Sequence, residues 1–589
     1  MLGFRRVRCL LFAVEMVTMI RAYQIMAIWI MLALAPAACA PAPAPTSGSR
    51  GGESQLSAGP KRFTAATRGN PHTVYQKLNP RSNIPGVDAL ERLVSTGLTV
   101  PTPDGAARVA RLAETAPTVE NGLWKLLPDG TMETRWTIRP GAVWQDGTPF
   151  TAEDLVFTAM VMRDKALPVF GHAAYDSLGT VEAADSRTVV ATWTKPFIQA
   201  DQLFSFEIAL PVAKHKLGEA YNMDREHFIE HPYWSTEFVG LGPYKIKRWE
   251  PGSHLVFEAN DRYIAGRPKI DEITVKFIPD PNTLAANLLT GEVDMPWGGR
   301  IDIEWAQHVA DQWQFGKLET GLASMLQIYP QHISPTPAIV NNVEFKRAML
   351  HALDRQTMAD TLQPGNVPLG HSFLSPQEPE WPFLESAIVR YVYDPARSLQ
   401  MLENLGYTRG ADGKLQDRAG QRLAFQIRTS QGDVTQEKAM FASADDWARL
   451  GVEVERFLVP PQRANDAEFR ATYPAFDLKR QAGTMDYAKS FHSRGIALPA
   501  NNFLVSGNNS RYSRPEMDHA IDRYFTTVPW DQRMEWGRQI VNMLSDDVGW
   551  IGLYHLVAPG LIPSRVIGMP VAKAESGQLD VIHEWDLKG

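Results

Sequence analysis

The residues most suggestive of chemistry are His227, Glu230 and His231 in the stretch "HFIEH". The pattern H-x-x-E-H, on a helix, sets two imidazoles on one face to hold zinc while the glutamate activates a water. It demands a helix running through both histidines. Pro232 follows His231 directly and biases that residue away from helical backbone. The stretch therefore reads as a solvated face carrying Glu226 and Glu230, and a zinc hydrolase stands as the rival reading from the enzyme class. There is no G-x-S-x-G elbow, no P-loop and no dinucleotide fingerprint. The chain has two cysteines, Cys9 and Cys39, both in its first 39 residues. A cysteine-based metal site in the body is thus excluded, and the expectation is no catalytic residue, no metal and no cofactor.

The elements around these residues are better specified than any chemistry. In "WQDGTPFTAEDLVF" (144–157), Asp146-Gly147 marks a tight turn and Thr151 caps a helix, with Asp154 in the capping-box position. Phe150 is placed to staple onto Leu155. Before it, Met132, Thr134, Trp136 and Ile138 alternate along one strand face. Residues 242–261 read as two strands joined at Pro251-Gly252, and 271–278 as a third. Residues 281–294 predict a helix stopped at Gly291. Val343, Ala348, Met349 and Ala352 form a helical stripe, and Asp394-Pro395 opens another helix that closes before Gly406.

At 589 residues the chain is too long for one core, and two or three domains are expected. A formal net charge of −7 argues against nucleic acid as a partner. Sixteen tryptophans suit either core packing or ligand clefts. Arg21, the apolar run "IMAIWIMLALA" and "PAACA" compose a secretory signal over residues 1–38, too short to span a membrane. The stretch before Met19 is a long lead for such a signal, which points to translation from Met16 or Met19. Cys39 resembles the lipid-modified cysteine of bacterial lipoproteins, although Pro36 stands where that pattern has leucine. A plain cut after Ala38 or Ala40 is the alternative. Residues 39–61, rich in Pro, Ala, Gly and Ser, read as a flexible tether. The expectation is an exported body, in the periplasm or lipid-anchored at the outer face of the cytoplasmic membrane.

An ordered set of motifs now carries a resemblance: "WTIRPGAVWQDGTPFTAEDLVF", "GLGPYKIKRWEPG", "EANDRYIAGRPKIDEITVKFI", "LLTGEVDM", "VEFKRAMLHALDR", "YDPARSLQMLENLGY" with "ADGKL" after it, and "NSRYSRPEMDHAID". In this order and spacing the chain resembles the family 5 extracellular solute-binding proteins, the dipeptide and oligopeptide receptors of bacterial ABC importers. The resemblance implies an α/β, periplasmic-binding-protein-like fold: two lobes around a ligand cleft with a smaller inserted domain. Domain I would take 62–98, 213–322 and 556–589, domain II 99–212, and domain III 323–555. It implies a non-enzymatic, monomeric receptor that closes on an oligopeptide by a hinge and delivers it to the ABC permease subunits. An oligosaccharide or a metal chelate is the alternative solute.

By the same resemblance, Asp486 takes a peptide's α-amino group, beside Thr484, Met485 and Tyr487 in "FDLKRQAGTMDYAKSF". A carboxylate there makes sense because an ammonium shut into a dry cleft needs a partner. Arg480, six residues earlier, would pair with a ligand carboxylate, and Tyr554 would lie where the chain re-enters the cleft. Read locally, Asp486 also suits a helix cap, Arg480 a structural ion pair and Tyr554 plain packing. Two departures from the peptide-binding pattern stand out: Ala488-Lys489 follows the Asp-Tyr pair, and Gly483 occupies a position where an aromatic is common.

Overall fold

The computed structural model describes residues 59–588, apart from 79–83, 104, 106, 168–169, 171, 299–300, 364, 464–465, 504–507, 509 and 571–577. The signal, Cys39 and all but the last residues of the tether lie outside the described residues. Three sheets organise the body. The first has five strands in the order Met295–Pro296, Arg62–Thr67, Glu272–Phe277, His254–Ala259 and Tyr244–Glu250. Arg62–Thr67 runs parallel to both of its neighbours, and the other pairs are antiparallel. The turn at Pro251-Gly252 forms as expected, Gly252 adopting φ +76°.

The second sheet is antiparallel, with Trp124–Leu126, Met132–Thr137, Thr188–Trp193 and Leu178–Ala183 in that order. Met132, Thr134 and Trp136 are fully buried on one face, as their alternation predicts. The helix Ala152–Met162 follows. Its Asp154 is 5 % exposed, and its carboxylate accepts from Thr151 N at 2.9 Å, Thr151 Oγ1 at 3.2 Å, Lys214 N at 3.1 Å and Trp144 Nε1 at 3.4 Å. One side chain thus closes the helix start, holds the preceding turn and satisfies the first turn of the helix Lys214–Met223. That explains the dense local specification of 144–157: it is architecture. Among the described residues seven tryptophans, Trp136 and Trp144 among them, are under 2 % exposed, so packing claims them. The cores of the first two sheets merge into one apolar cluster, which the terminal residues Leu579, Ile582, Trp585 and Leu587 also join.

The third sheet runs Glu453–Val459, Ala424–Ser430, Phe476–Ala482, Gly316–Pro330 and Ile551–Pro563. The first three strands are mutually parallel and the last two antiparallel to their neighbours. Helices Val343–His351, Arg355–Leu362 and Val434–Arg449 bury their apolar stripes on it, with Phe425, Trp447 and Phe476 in mutual ring contact. A further cluster gathers helices Pro515–Thr526 and Trp530–Asp546 with Phe373, Tyr487 and Phe491. Past the partner of Ala482, Gly316–Leu322 and Val557–Pro563 continue as a two-stranded ribbon. Leu561 of this ribbon packs with Ala66, Leu284, Val309 and Trp313. The ribbon therefore ties the third sheet to the elements around the first.

Candidate functional site

A cavity of about 500 Å³ lies at the carboxyl ends of the parallel strands Ala424–Ser430 and Phe476–Ala482. The carboxyl ends of parallel strands are where α/β sheets place ligands. Ser430 ends one strand, and Gly432, at φ +97°, turns the chain so that Asp433 caps the helix Val434–Arg449. Arg480 projects from the neighbouring strand. Arg68, Asp302 and Gln363 complete the polar wall, and Leu556 with Val557 supplies an apolar one. The cavity is thus framed by residues that follow the first sheet's strands and by residues of the third sheet.

The polar wall is unevenly satisfied. Asp433 accepts from Gln436 N at 3.1 Å and Gln436 Nε2 at 2.6 Å, and Asp302 accepts from Glu304 N at 2.9 Å; both carboxylates are engaged as helix caps. Arg480 reaches Asp433 only at 3.4 Å through Nη2, and its Nε is buried without a hydrogen-bond partner among the described residues. The Tyr554 hydroxyl is also buried and unpartnered. Burial raises that phenol above its ordinary range, and the Arg480 charge opposes the rise. Tyr554 itself does not line the cavity, but the unsatisfied Arg480 N–H at its wall is a donor awaiting an acceptor. A carboxylate is the acceptor whose geometry and charge match arginine.

The other proposed binding residues fall at a different place on the same chain segment. Asp486 is exposed, in the 3-10 helix Met485–Phe491, and does not line this cavity. Its carboxylate is occupied by Lys489 Nζ at 2.7 Å and Gln199 Nε2 at 2.9 Å. The Lys489 ammonium also stands 4.2 Å over the Phe525 ring. His172 sits close by: burial pushes it down to about 4, the charges of Lys77 and Lys489 push the same way, and Asp486 opposes them. Gln199 and His172 belong to the segment carrying the second sheet, so Asp486 marks a contact between that segment and the third sheet's elements. Tyr487 is buried, its hydroxyl accepting from Gln327 Nε2 at 2.6 Å, and Met485 packs in the same apolar cluster. Thr484 is half-buried and precedes the 3-10 turn.

Gly483 has a physical reason. Ser375 N donates to its carbonyl at 2.7 Å, and a Cβ here would stand 3.0 Å from Ser375 Cβ. A larger side chain at this position would press against that loop. The zinc pattern dissolves for the reason Pro232 suggests. His231 is extended at φ −58°, ψ 136° between two 3-10 turns, Phe228–Glu230 and Pro232–Trp234. The His231 Nδ1 accepts from Tyr233 N, and His227 Nδ1 lies 3.0 Å from Asp224. The two imidazoles share no helical face. Arg68, Asp433, Gln199 and Lys489 are the residues that sequence reasoning missed. The turn-and-cap signal Gly432-Asp433 after a strand was readable; the partners brought from distant segments were not.

With the geometry in hand, the likenesses to known proteins can be placed. The oligopeptide-binding protein AppA of Bacillus subtilis is 26% identical over 332 residues, 56% of this chain and 59% of AppA, so the match spans less than two thirds of that relative. In structure, a periplasmic oligopeptide-binding protein of an oligopeptide ABC transporter from Thermotoga maritima superposes with TM-score 0.73, at 19% identity, over 90% of this chain and 99% of its own. NikA from Brucella suis, in complex with Fe(III)-EDTA, does so with TM-score 0.72 at 17% identity, over 90% and 100%. The mixed α/β architecture is therefore the periplasmic-binding-protein-like fold that these structures share. The family model for bacterial extracellular solute-binding proteins, family 5, matches residues 117–495. That match covers more than half of the chain, and the protein belongs to the bacterial extracellular solute-binding proteins, family 5.

Proposed function

We propose that this protein is the solute receptor of an ABC importer, that its solute is an oligopeptide, and that it delivers this solute to permease subunits in the cytoplasmic membrane. The observation that carries the reading is the cavity at Arg480, where a buried guanidinium N–H has no acceptor of its own among the described residues, with the unpartnered Tyr554 hydroxyl in the core nearby. A peptide's terminal carboxylate supplies one. Asp486 further along the same segment supplies a partner for the amino terminus, with Thr484, Met485 and Tyr487 shaping its surroundings. The relatives named for oligopeptide binding support the same choice of solute. In this reading residues 62–98, 213–322 and 556–589 form domain I, 99–212 domain II and 323–555 domain III. The ribbon of Gly316–Leu322 and Val557–Pro563 is the hinge about which they close. The receptor is a monomer without catalytic chemistry, exported by the signal over 1–38 and anchored through a lipid on Cys39.

Thermal unfolding of the body from residue 62 onward, against pools of di- to hexapeptides, oligosaccharides and metal chelates, tests this. A ligand at about a thousand times its Kd adds roughly 4 kcal/mol and raises the melting temperature visibly. A rise with peptides that Arg480→Met abolishes is the expected result. A rise with chelates or sugars alone refutes the peptide and keeps the receptor. Mass spectrometry of the mature protein for a diacylglyceryl-modified Cys39 tests the anchor separately.

A further inference from the structure

A second cavity, of about 470 Å³, lies beside the start of the helix Val343–His351 and is lined by Lys346, His332, Arg511, Arg514 and Asp547 among others. Its apolar walls are Ile333, Val343, Ile496 and Leu498. None of these residues lines the cavity at Arg480. Lys346 is only 2 % exposed, yet its ammonium makes no hydrogen bond and no ion pair among the described residues. Lysine is almost never buried in this way without a partner. The one carboxylate among the described residues of the wall, Asp547, is taken by Arg514 Nη1 at 2.6 Å and the Tyr512 hydroxyl at 2.8 Å. Arg511 holds its guanidinium with Nε on Gln331 at 3.0 Å and Nη2 on the Ile333 carbonyl at 3.2 Å, and its Nη1 makes no bond among the described residues. Its backbone lies at φ +57°, a conformation that costs a non-glycine residue energy and persists where the surroundings impose it.

We propose that this cavity is a second ligand site, separate from the solute cavity, for a small organic carboxylate: Lys346 and Arg511 hold the anion, and the aliphatic walls hold its apolar body. The described wall carries three cationic side chains against one carboxylate, a surplus of two positive charges that a bound anion would partly offset. The helix also begins at this end, its Phe345 N–H already bonded to Asn342 Oδ1 at 3.0 Å. Burial lowers Lys346 to about 8 while Asp547 opposes the fall and Arg347 adds to it, so an anion in the cavity would restore the charged form. His332, pushed down to about 3 by burial, stays neutral and adds no charge to the wall.

Isothermal titration of the full chain with benzoate, 4-methylpentanoate and inorganic phosphate tests the proposal. The expected result is one saturable site for an organic carboxylate, weakened at least tenfold by Lys346→Met and unchanged by Arg480→Met. Binding of none of the organic anions, or of inorganic phosphate alone, overturns it. So does loss with Arg480→Met, which would put the anion in the solute cavity. Melting of the unliganded Lys346→Met variant guards against misfolding. Removing an unpartnered buried charge should leave the melting temperature level or raise it, whereas a marked drop would make Lys346 a structural residue and overturn the proposal.

Discussion

Lys489 already occupies the carboxylate on which a peptide's amino terminus would depend, and the cost of moving it can be worked out. The Asp486–Lys489 pair is 2.7 Å long, with side chains 50% and 41% exposed. A pair so open to water contributes about 0.2–1 kcal/mol. The ammonium also sits 4.2 Å over Phe525, worth roughly 0.5–1 kcal/mol at an exposed site. A ligand ammonium displacing Lys489 forgoes about 0.7–2 kcal/mol, which is roughly 3- to 30-fold in affinity. Lys489→Ala should therefore tighten binding of free-amino peptides by that factor and leave N-acetylated peptides unaffected. Titration calorimetry on matched peptide pairs gives the comparison, with Asp486→Asn as the opposite control. Equal change for free and acetylated peptides, or weaker binding of the free form, would show that Lys489 does not compete for Asp486.

Further predictions follow from burial and contact. Asp154→Ala strands the Lys214 and Thr151 N–H groups and should destabilise the fold by about 2–4 kcal/mol, with Asp154→Asn recovering roughly half; a urea-unfolding difference below about 1 kcal/mol would contradict its architectural role. Burial raises Glu91 to about 8 from an ordinary 4.5, so the folded chain keeps a proton that the unfolded chain releases across that window. Its contribution is complete below pH 4.5 and is lost as the pH rises to about 8; Glu91→Gln should flatten the fall in melting temperature between pH 5 and 8, and an unchanged slope would refute the assignment. Gly483→Ala drives a Cβ against Ser375 and should cost about 1–3 kcal/mol by overpacking, read by the same urea titration, where a neutral variant would show that the Ser375 loop yields.

Much of this protein was legible before any coordinates. Local signals need only near neighbours, and they were obeyed: the capping pair Thr151 and Asp154, the turn at Gly252, the Asp394-Pro395 helix start with Gly406 at its end, and the buried face of Met132, Thr134 and Trp136. The ordered motifs led to the family because they are such local structures repeated in a fixed sequence. Pro232 alone was enough to break the zinc pattern, since its ring acts on the residue beside it. What tertiary structure decided is who meets whom. Gln199 reaches Asp486 across 287 positions of chain, Arg68 and Asp302 face Arg480 across one cavity, and Lys346 is shut in with Arg511 and Asp547. No periodicity or cap announces such encounters, because they are set by the packing of whole sheets and helices against one another. Whether a charge stands free, paired or buried is a property of those encounters, so the binding chemistry emerges only from the folded chain.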